Sequence, residues 1–216
     1  MMDINEAINI VKAFKKESVK EVLLDLQKTD LTNSTNDFEN IFTSAKIIKE
    51  ASAQIDEIVH ASGIMLALSV WLNKNEEVQY LSLGAGNHKG HFDLETNHRI
   101  AEFKFGKWNE NSANGLRRRG YFSNYISLLI NETKRDKYFV VEDKKAFLKF
   151  MNGTAKWKNV LSKNPNGFQA LKEFLVNNKM DYIETVGEIY NHFIGIVIIV
   201  DFTEIIKVNI KHRVVT

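Results

Sequence analysis

The chain has 216 residues, 44% hydrophobic and 26% charged, with one proline and no cysteine. Such a length and composition suit one globular domain with a sizeable core, and the missing cysteines exclude disulfides, thiolate zinc sites and cysteine nucleophiles. A formal charge of +2 is far below that of a protein that coats nucleic acid, yet it leaves room for an enzyme with a local basic rim.

Residues 3 to 28 carry helical periodicity, with Ile4, Ile8, Val11, Phe14, Val19, Val22, Leu23 and Leu26 on one stripe. The polar stretch 29–36 reads as a connector ending in good N-cap residues. A second helical region is expected from about Asp37 to Leu72, its latter part, from Ile55, apolar enough to lie buried against a sheet. Strands are expected at Val78 to Leu83, His91 to Glu95 and Arg99 to Phe105, and the short link Thr96-Asn97-His98 predicts an antiparallel hairpin. Helical spacing returns over Ser112 to Glu132, with Phe122, Tyr125, Ile126 and Leu129 on one face. Tyr138 to Val141 reads as a strand, and 144–162 and 167–178 as helices separated by Asn164-Pro165-Asn166-Gly167. Ile194 to Phe202 is β-rich enough for a central strand, and Lys207 to Val215 alternates like an edge strand. The order predicts a mixed α/β sandwich. The N-terminal Met-Met-Asp-Ile-Asn-Glu lacks the basic and apolar regions of a signal peptide, and the run Phe193 to Val200 is too short to span a bilayer. The reading is a cytoplasmic protein without a membrane partner.

The segment Gly90-His91-Phe92-Asp93, followed across the hairpin by Glu102-Phe103-Lys104, carries the chemistry. Side chains alternate along a strand, so Glu102 and Lys104 share a face while Ala101, Phe103 and Phe105 enter the opposite, apolar layer. With Asp93 across the hairpin on the same face, the carboxylates of Asp93 and Glu102 can share a cation. Hard ions such as Mg²⁺ (or Mn²⁺) take oxygen ligands and keep several waters, so two carboxylates and the Phe103 carbonyl suffice. The bland alternative is a surface hairpin with a solvated Glu/Lys pair. A second copy, Glu142-Asp143-Lys144 preceded by Asp136, serves as a control. Those acids flank a single strand and would sit at its opposite ends. Other chemistries have less support. His88, His91 and His98 lack a zinc spacing, Ser112 and Ser123 lack a matched base, and Gly84-Ala85-Gly86-Asn87 reads as a turn. The pairs Lys144/Lys145 and Lys156/Lys158 read as solvated faces.

The acid, Glu-x-Lys pattern of Asp93, Glu102 and Lys104 resembles the active site of the PD-(D/E)XK nuclease superfamily. So does the surrounding sequence, Leu81 to Asn87, Phe92 to Asn97 and Ile100 to Phe105, over roughly residues 54 to 203. The resemblance implies a restriction-endonuclease-like fold: a mixed β-sheet flanked by helices, here over residues 54–216. Residues 1–53 would be an N-terminal helical extension that could pack or form a homodimer. It implies catalytic Asp93, Glu102 and Lys104, and metal ligands Asp93, Glu102 and Phe103, with Glu57 added from the preceding helix. The superfamily often follows the hairpin with Gln-x-x-x-Tyr. Here Arg117-Arg118-Arg119-Gly120-Tyr121 stands in that place, so Arg117 replaces the glutamine and offers bidentate phosphate contact. Arg117 and Tyr121, with Arg118 and Arg119 more peripheral, are the expected nucleic-acid-binding residues. The reading is a Mg²⁺-dependent hydrolase of nucleic-acid backbone, endonuclease or exonuclease, acting on DNA in preference to RNA, although the resemblance itself supplies no substrate. The rivals are a non-catalytic member that binds nucleic acid or protein, and an interaction protein dimerising through its long helices.

Overall fold

In the computed structural model the described residues are 2–14, 35–53, 55–84, 90–106 and 114–213. They form two compact units, Met1–Ile58 and Val59–Thr216. In the first, α1 (Ile4–Phe14) starts where Asp3 Oδ1 accepts the Asn5 and Glu6 N–H groups at 2.7 and 2.9 Å. This capping satisfies donors that a helix start leaves open. It packs on α2 (Thr35–Ala51), burying the small residues Ala7 and Ser44. The rest of the expected first helix, and the connector up to residue 34, lie outside the described residues. The second helical region is not continuous. It stops at Ala51 and resumes as α3 (Ile55–Trp71) after a turn in which the Ile55 N–H bonds the Ser52 carbonyl at 3.1 Å. No glycine or proline marks that break, and the helical periodicity continues through it.

Among the described residues of the second unit five strands form one sheet, in the order β1-β2-β3-β4-β5. β1 (Val78–Leu81), β2 (Leu94–Thr96) and β3 (Arg99–Lys104) run antiparallel in succession, as the tight link predicts. The chain then crosses through α4 (Asn114–Ile130) to β4 (Asp136–Val141), which pairs parallel to β3 from Arg99↔Asp136 to Lys104↔Val141. β5 (Ile198–Asp201) pairs parallel to β4. It therefore lies at the edge of the sheet, where the sequence suggested a central strand. The apolar run around it, with Ile194, Ile196 and Ile198 exposed, reflects a strand rim and not a buried interior.

Alternation along β3 feeds two cores. Ala101 and Phe103 pack with Ile64, Ala67, Leu94, Val140 and Ile205. Ile100 joins the larger core of α4 and the later helices, which includes Phe122, Tyr125, Phe139 and Phe147. A strand covered on both faces reads as nearly continuous burial, and Arg99–Phe103 are all buried. The expected burial of α3 holds for one stripe only: Ile64 and Ala67 are enclosed, while Ile58, Val59, Met65 and Leu66 are exposed. Gly63 sets how closely this helix approaches, since a Cβ there would fall 2.4 Å from the Phe105 ring.

One buried ion pair ties the base of the hairpin to the segment before β1. Arg99 Nη2 donates to Glu76 Oε2 at 2.6 Å and its Nε lies 2.6 Å from Oε1. Its guanidinium stands 4.5 Å from the Trp71 ring centre and 5.3 Å from that of Tyr138, geometry suited to cation–π attraction. Glu76 also accepts the Thr96 hydroxyl at 2.7 Å.

Three later expectations change. The helix drawn over 144–162 is two, α5 (Lys144–Met151) and α6 (Trp157–Val160), parted at Gly153. There the Gly187 N–H bonds the Gly153 carbonyl at 3.0 Å. The separation expected at Asn164 to Gly167 falls earlier, over 161–164, and α7 (Pro165–Asn177) begins with Asn164 as N-cap and proline in the first turn. An unanticipated α8 (Val186–His192) starts from a Thr185/Glu188 capping box. The expected edge strand at Lys207 to Val215 is helical as far as Arg213, as α9 (Phe202–Arg213); Val214 and Val215 lie outside the described residues. Asp201 Oδ1 accepts both the Thr203 N–H and hydroxyl, at 2.8 and 2.6 Å. That cap starts a helix whose Ile205 is buried on the sheet, and it overrides the period-two alternation. Among the described residues no helix is long and apolar enough to cross a membrane.

Candidate active site

The register Leu94↔Ala101, Glu95↔Ile100 makes Asp93 the next residue opposite Glu102, but the ladder ends one step earlier. Asp93 sits in a bend before β2, so the strand expected from His91 begins at Leu94. Its side chain takes over where the backbone leaves off: Oδ2 accepts the Phe103 N–H at 2.8 Å. A hydrogen bond to a charged acceptor is worth about 1.5–3 kcal/mol, and a buried amide left without one costs a similar amount. Since the N–H and C=O of a strand residue point to the same side, the Phe103 carbonyl also faces the Asp93 side of β3.

Glu102 projects to the α4 face and is 7% exposed. Lys104, two residues on, reaches back so that its Nζ lies 2.7 Å from Glu102 Oε1, the shared face expected from strand parity. Asn124 of α4 donates to that same oxygen. Burial raises the pKa of Glu102 above the usual carboxylate range; Lys104 opposes this rise and the negative charge of Asp93 adds to it. A buried carboxylate whose proton affinity a neighbouring carboxylate raises is a locus that a cation would relieve.

His60 was missed at the sequence level. It lies on α3, with Nε2 3.5 Å from Asp93 Oδ1, and both side chains are nearly enclosed. The separation allows electrostatic attraction, yet Nε2 has no aligned hydrogen bond. The signal was present in the helical period: 60, 64 and 67 form one stripe, and the latter two are fully buried. Glu57, one turn earlier, is exposed and belongs to the first compact unit. Among the described residues no three His, Asp or Glu side chains gather as a metal-holding group. A Mg²⁺ site does not require three, because this ion commonly binds through one or two carboxylates and retains waters. The donor set of Asp93, Glu102 and the Phe103 carbonyl, all oxygen, fits a hard cation of that kind.

The basic residues of α4 diverge. Arg117 lies at the C-terminal end of β3, where its guanidinium comes within 3.3 Å of the point a Cβ on Gly106 would occupy. Gly106, at φ +125°, therefore leaves the arginine room in a backbone conformation that side chains disfavour. Arg118 turns toward Phe150, 5.8 Å from its ring centre, and Arg119 is half-buried. Tyr121 is 7% exposed and packs against Phe139 and Phe147. Burial pushes its phenol up to about 12, with Arg117 opposing.

The control motif is absorbed by structure. Asp136 opens β4 and Glu142 follows its end. Glu142 accepts the Gly106 N–H at 2.6 Å, Asp143 caps α5, and Lys144 lies 3.8 Å from Glu204. His91 stacks on Tyr80 at 4.2 Å and bonds Glu95 at 3.0 Å, while Arg135 lies 3.1 Å from the other Glu95 oxygen. His88, Ser112 and 85–87 lie outside the described residues. Ser123 accepts a hydrogen bond from Asn164 at 2.6 Å.

Compared with protein-family models, with curated proteins and with solved structures, the chain finds no match.

Proposed function

We propose that the chain is a divalent-cation-dependent phosphodiesterase of the PD-(D/E)XK kind, hydrolysing nucleic-acid backbone, with DNA preferred to RNA. The observation that carries this reading is the negative charge of Asp93 acting on the buried Glu102 carboxylate, with the Lys104 ammonium 2.7 Å from that carboxylate. The succession of α3, three antiparallel strands, α4 and a parallel β4 accords with the restriction-endonuclease-like architecture that the resemblance implies.

In this reading Asp93, Glu102 and the Phe103 carbonyl hold Mg²⁺ or Mn²⁺. When bound, that cation supplies acidity to an attacking water and neutralises charge at the phosphate. Phe103's amide fixes the Asp93 carboxylate, and Asn124 fixes that of Glu102, so both are oriented in advance. Lys104, displaced from Glu102 once the carboxylate has another partner, stabilises the negative charge that develops on the phosphoryl oxygens. Arg117, beside Gly106 at the C-terminal end of β3, holds a neighbouring phosphate. Its replacement by alanine should flatten the salt dependence of oligonucleotide binding by about one counterion's worth.

The test is incubation with plasmid, linear duplex and single-stranded substrates in Mg²⁺, Mn²⁺ or chelator. Cleavage that needs the cation and disappears in Asp93→Asn supports the proposal; undiminished cleavage in that variant rejects it. A second reading, a non-catalytic nucleic-acid- or protein-binding member of the same fold, has one observation in its favour. Glu102 already has Lys104 and Asn124 as partners and is satisfied without a cation. Mn²⁺ calorimetry separates the two, since the second reading expects no site.

A further inference from the structure

A cleft of about 530 Å³ opens beside Glu102, between α4, the start of α7 and the segment before β2. This volume lies within the roughly 300–1,000 Å³ of small-molecule sites. Its lining is unusual for a protein read as binding a polyanion, because among the described residues no lysine or arginine contributes to it. Apart from Glu102 and His91, the polar groups are uncharged amides and hydroxyls, including Ser123, Ser127, Asn131 and Asn166. Phe92, Ile130 and Ala170 supply apolar wall.

We propose that this cleft receives a nucleobase of the strand being cut, beside the phosphate held at Asp93 and Glu102; the assignment of a strand to be cut rests on the proposed nuclease function. A phosphate in such a lining would meet the Glu102 carboxylate and, among the described residues, no lysine or arginine, whereas a flat neutral heterocycle meets amide donors, amide acceptors and the aromatic side chain of Phe92. Two local arrangements preset the polar wall. Asn164 spends its carbonyl oxygen on the Gly167 N–H at 3.1 Å and its amide nitrogen on Ser123 Oγ at 2.6 Å. Ser123 accepts in that contact, so its own proton can point to a ligand. Asn124 lines the cleft while donating to Glu102, which links the position of the base to that of the catalytic carboxylate. Phe92 immediately precedes Asp93, so stacking there would fix the segment that carries the other carboxylate.

The test uses the full chain in chelator, titrated with adenosine, guanosine, cytidine, thymidine and uridine and followed by amide NMR. At least one nucleoside should shift amides of 123–131 and 164–170 together. Ala170→Trp, which fills the cleft, should weaken that binding, and so should the milder Asn131→Ala. Loss of one base-stacking contact corresponds to a roughly five- to 150-fold drop in affinity. Calorimetric Mn²⁺ affinity should stay the same in both variants. Nucleosides that bind here while the chain cuts no nucleic acid would support the base site and remove the nuclease reading. A chain that cuts, with these amides unmoved by any nucleoside and Ala170→Trp cutting as before, would overturn the base site and keep the nuclease. Cutting unaffected when single abasic positions are scanned along the substrate would also overturn it.

Discussion

Asp93 has two roles that different substitutions separate. Its Oδ2 accepts the Phe103 N–H at 2.8 Å, beside a side chain with no solvent exposure, and its charge acts on Glu102. Asp93→Asn keeps an acceptor for Phe103 but makes the bond neutral, so the expected cost is about 1 kcal/mol, the gap between charged and neutral hydrogen bonds. Removing the charge also relieves Glu102 in the absence of cation, which offsets part of that cost. Asp93→Ala leaves the amide without its partner and should cost about 2–3 kcal/mol. For a unit of this size each kcal/mol moves the melting temperature by roughly 2–4 °C. In chelator, therefore, the asparagine variant should melt within a few degrees of the parent and the alanine variant clearly below it. With Mn²⁺ added, only the parent should gain substantial stability, and both variants should lose cleavage. Calorimetric or fluorescence melting, with and without cation, reads all of this. If the two variants melt alike in chelator, the Phe103 bond does not hold the segment. If asparagine gains as much from Mn²⁺ as the parent, Asp93 is not a ligand.

Three further outcomes follow from the geometry. Lys104→Ala should keep or tighten Mn²⁺ affinity, since the ammonium competes for Glu102, while turnover falls about 10²–10³-fold; a large loss of affinity by calorimetry would give Lys104 another role. Burial, more than Asp93, raises the Glu102 pKa and Lys104 opposes it, so the folded chain keeps a proton that the unfolded chain has released. The metal-free protein should lose this part of its stability as pH rises from the ordinary glutamate range through the raised folded value, and a melting-temperature profile for Glu102→Gln running parallel to the parent's would refute the assignment. Glu76→Gln leaves the buried Arg99 charge without its anion and should cost about 3–5 kcal/mol, read by urea melts; a loss under about 1 kcal/mol would mean that Trp71 and Tyr138 alone retain the guanidinium.

The hairpin was legible because its signals are local. A short link between alternating segments fixes register, and register fixes which residues stand opposite one another. The same logic sorted Asp93 and Glu102 from Asp136 and Glu142, whose separation along one strand follows from spacing alone. What stayed hidden depends on packing between distant segments. His60 meets Asp93 only because Gly63 lets α3 approach Phe105. Asn124 meets Glu102 only after a crossover, and the cleft needs α7 as well. At the other end of the unit, apolar density around Ile194 to Ile198 suggested an interior strand, since composition alone cannot distinguish a covered strand from an exposed rim. Asp201 as a cap outweighed alternation downstream of it.

The mixed sheet also predicts an order in which its strands assemble. β1, β2 and β3 pair over short chain separations, whereas β3 finds its parallel partner only after α4, and β4 meets β5 some sixty residues later, at Tyr138↔Ile198. Local pairings close small loops and precede distant ones. Asp93 and Glu102 can therefore come together in a meander that still lacks Asn124 and the α7 wall of the cleft. Substitutions within β2 and β3 should slow refolding, and those in α7 should mainly quicken unfolding, a division that the two limbs of a denaturant chevron measure. Equal effects on both limbs would mean that the two halves of the sheet form together. With the sequential order, the hairpin that carries Asp93 and Glu102 forms before the α7 wall of the cleft.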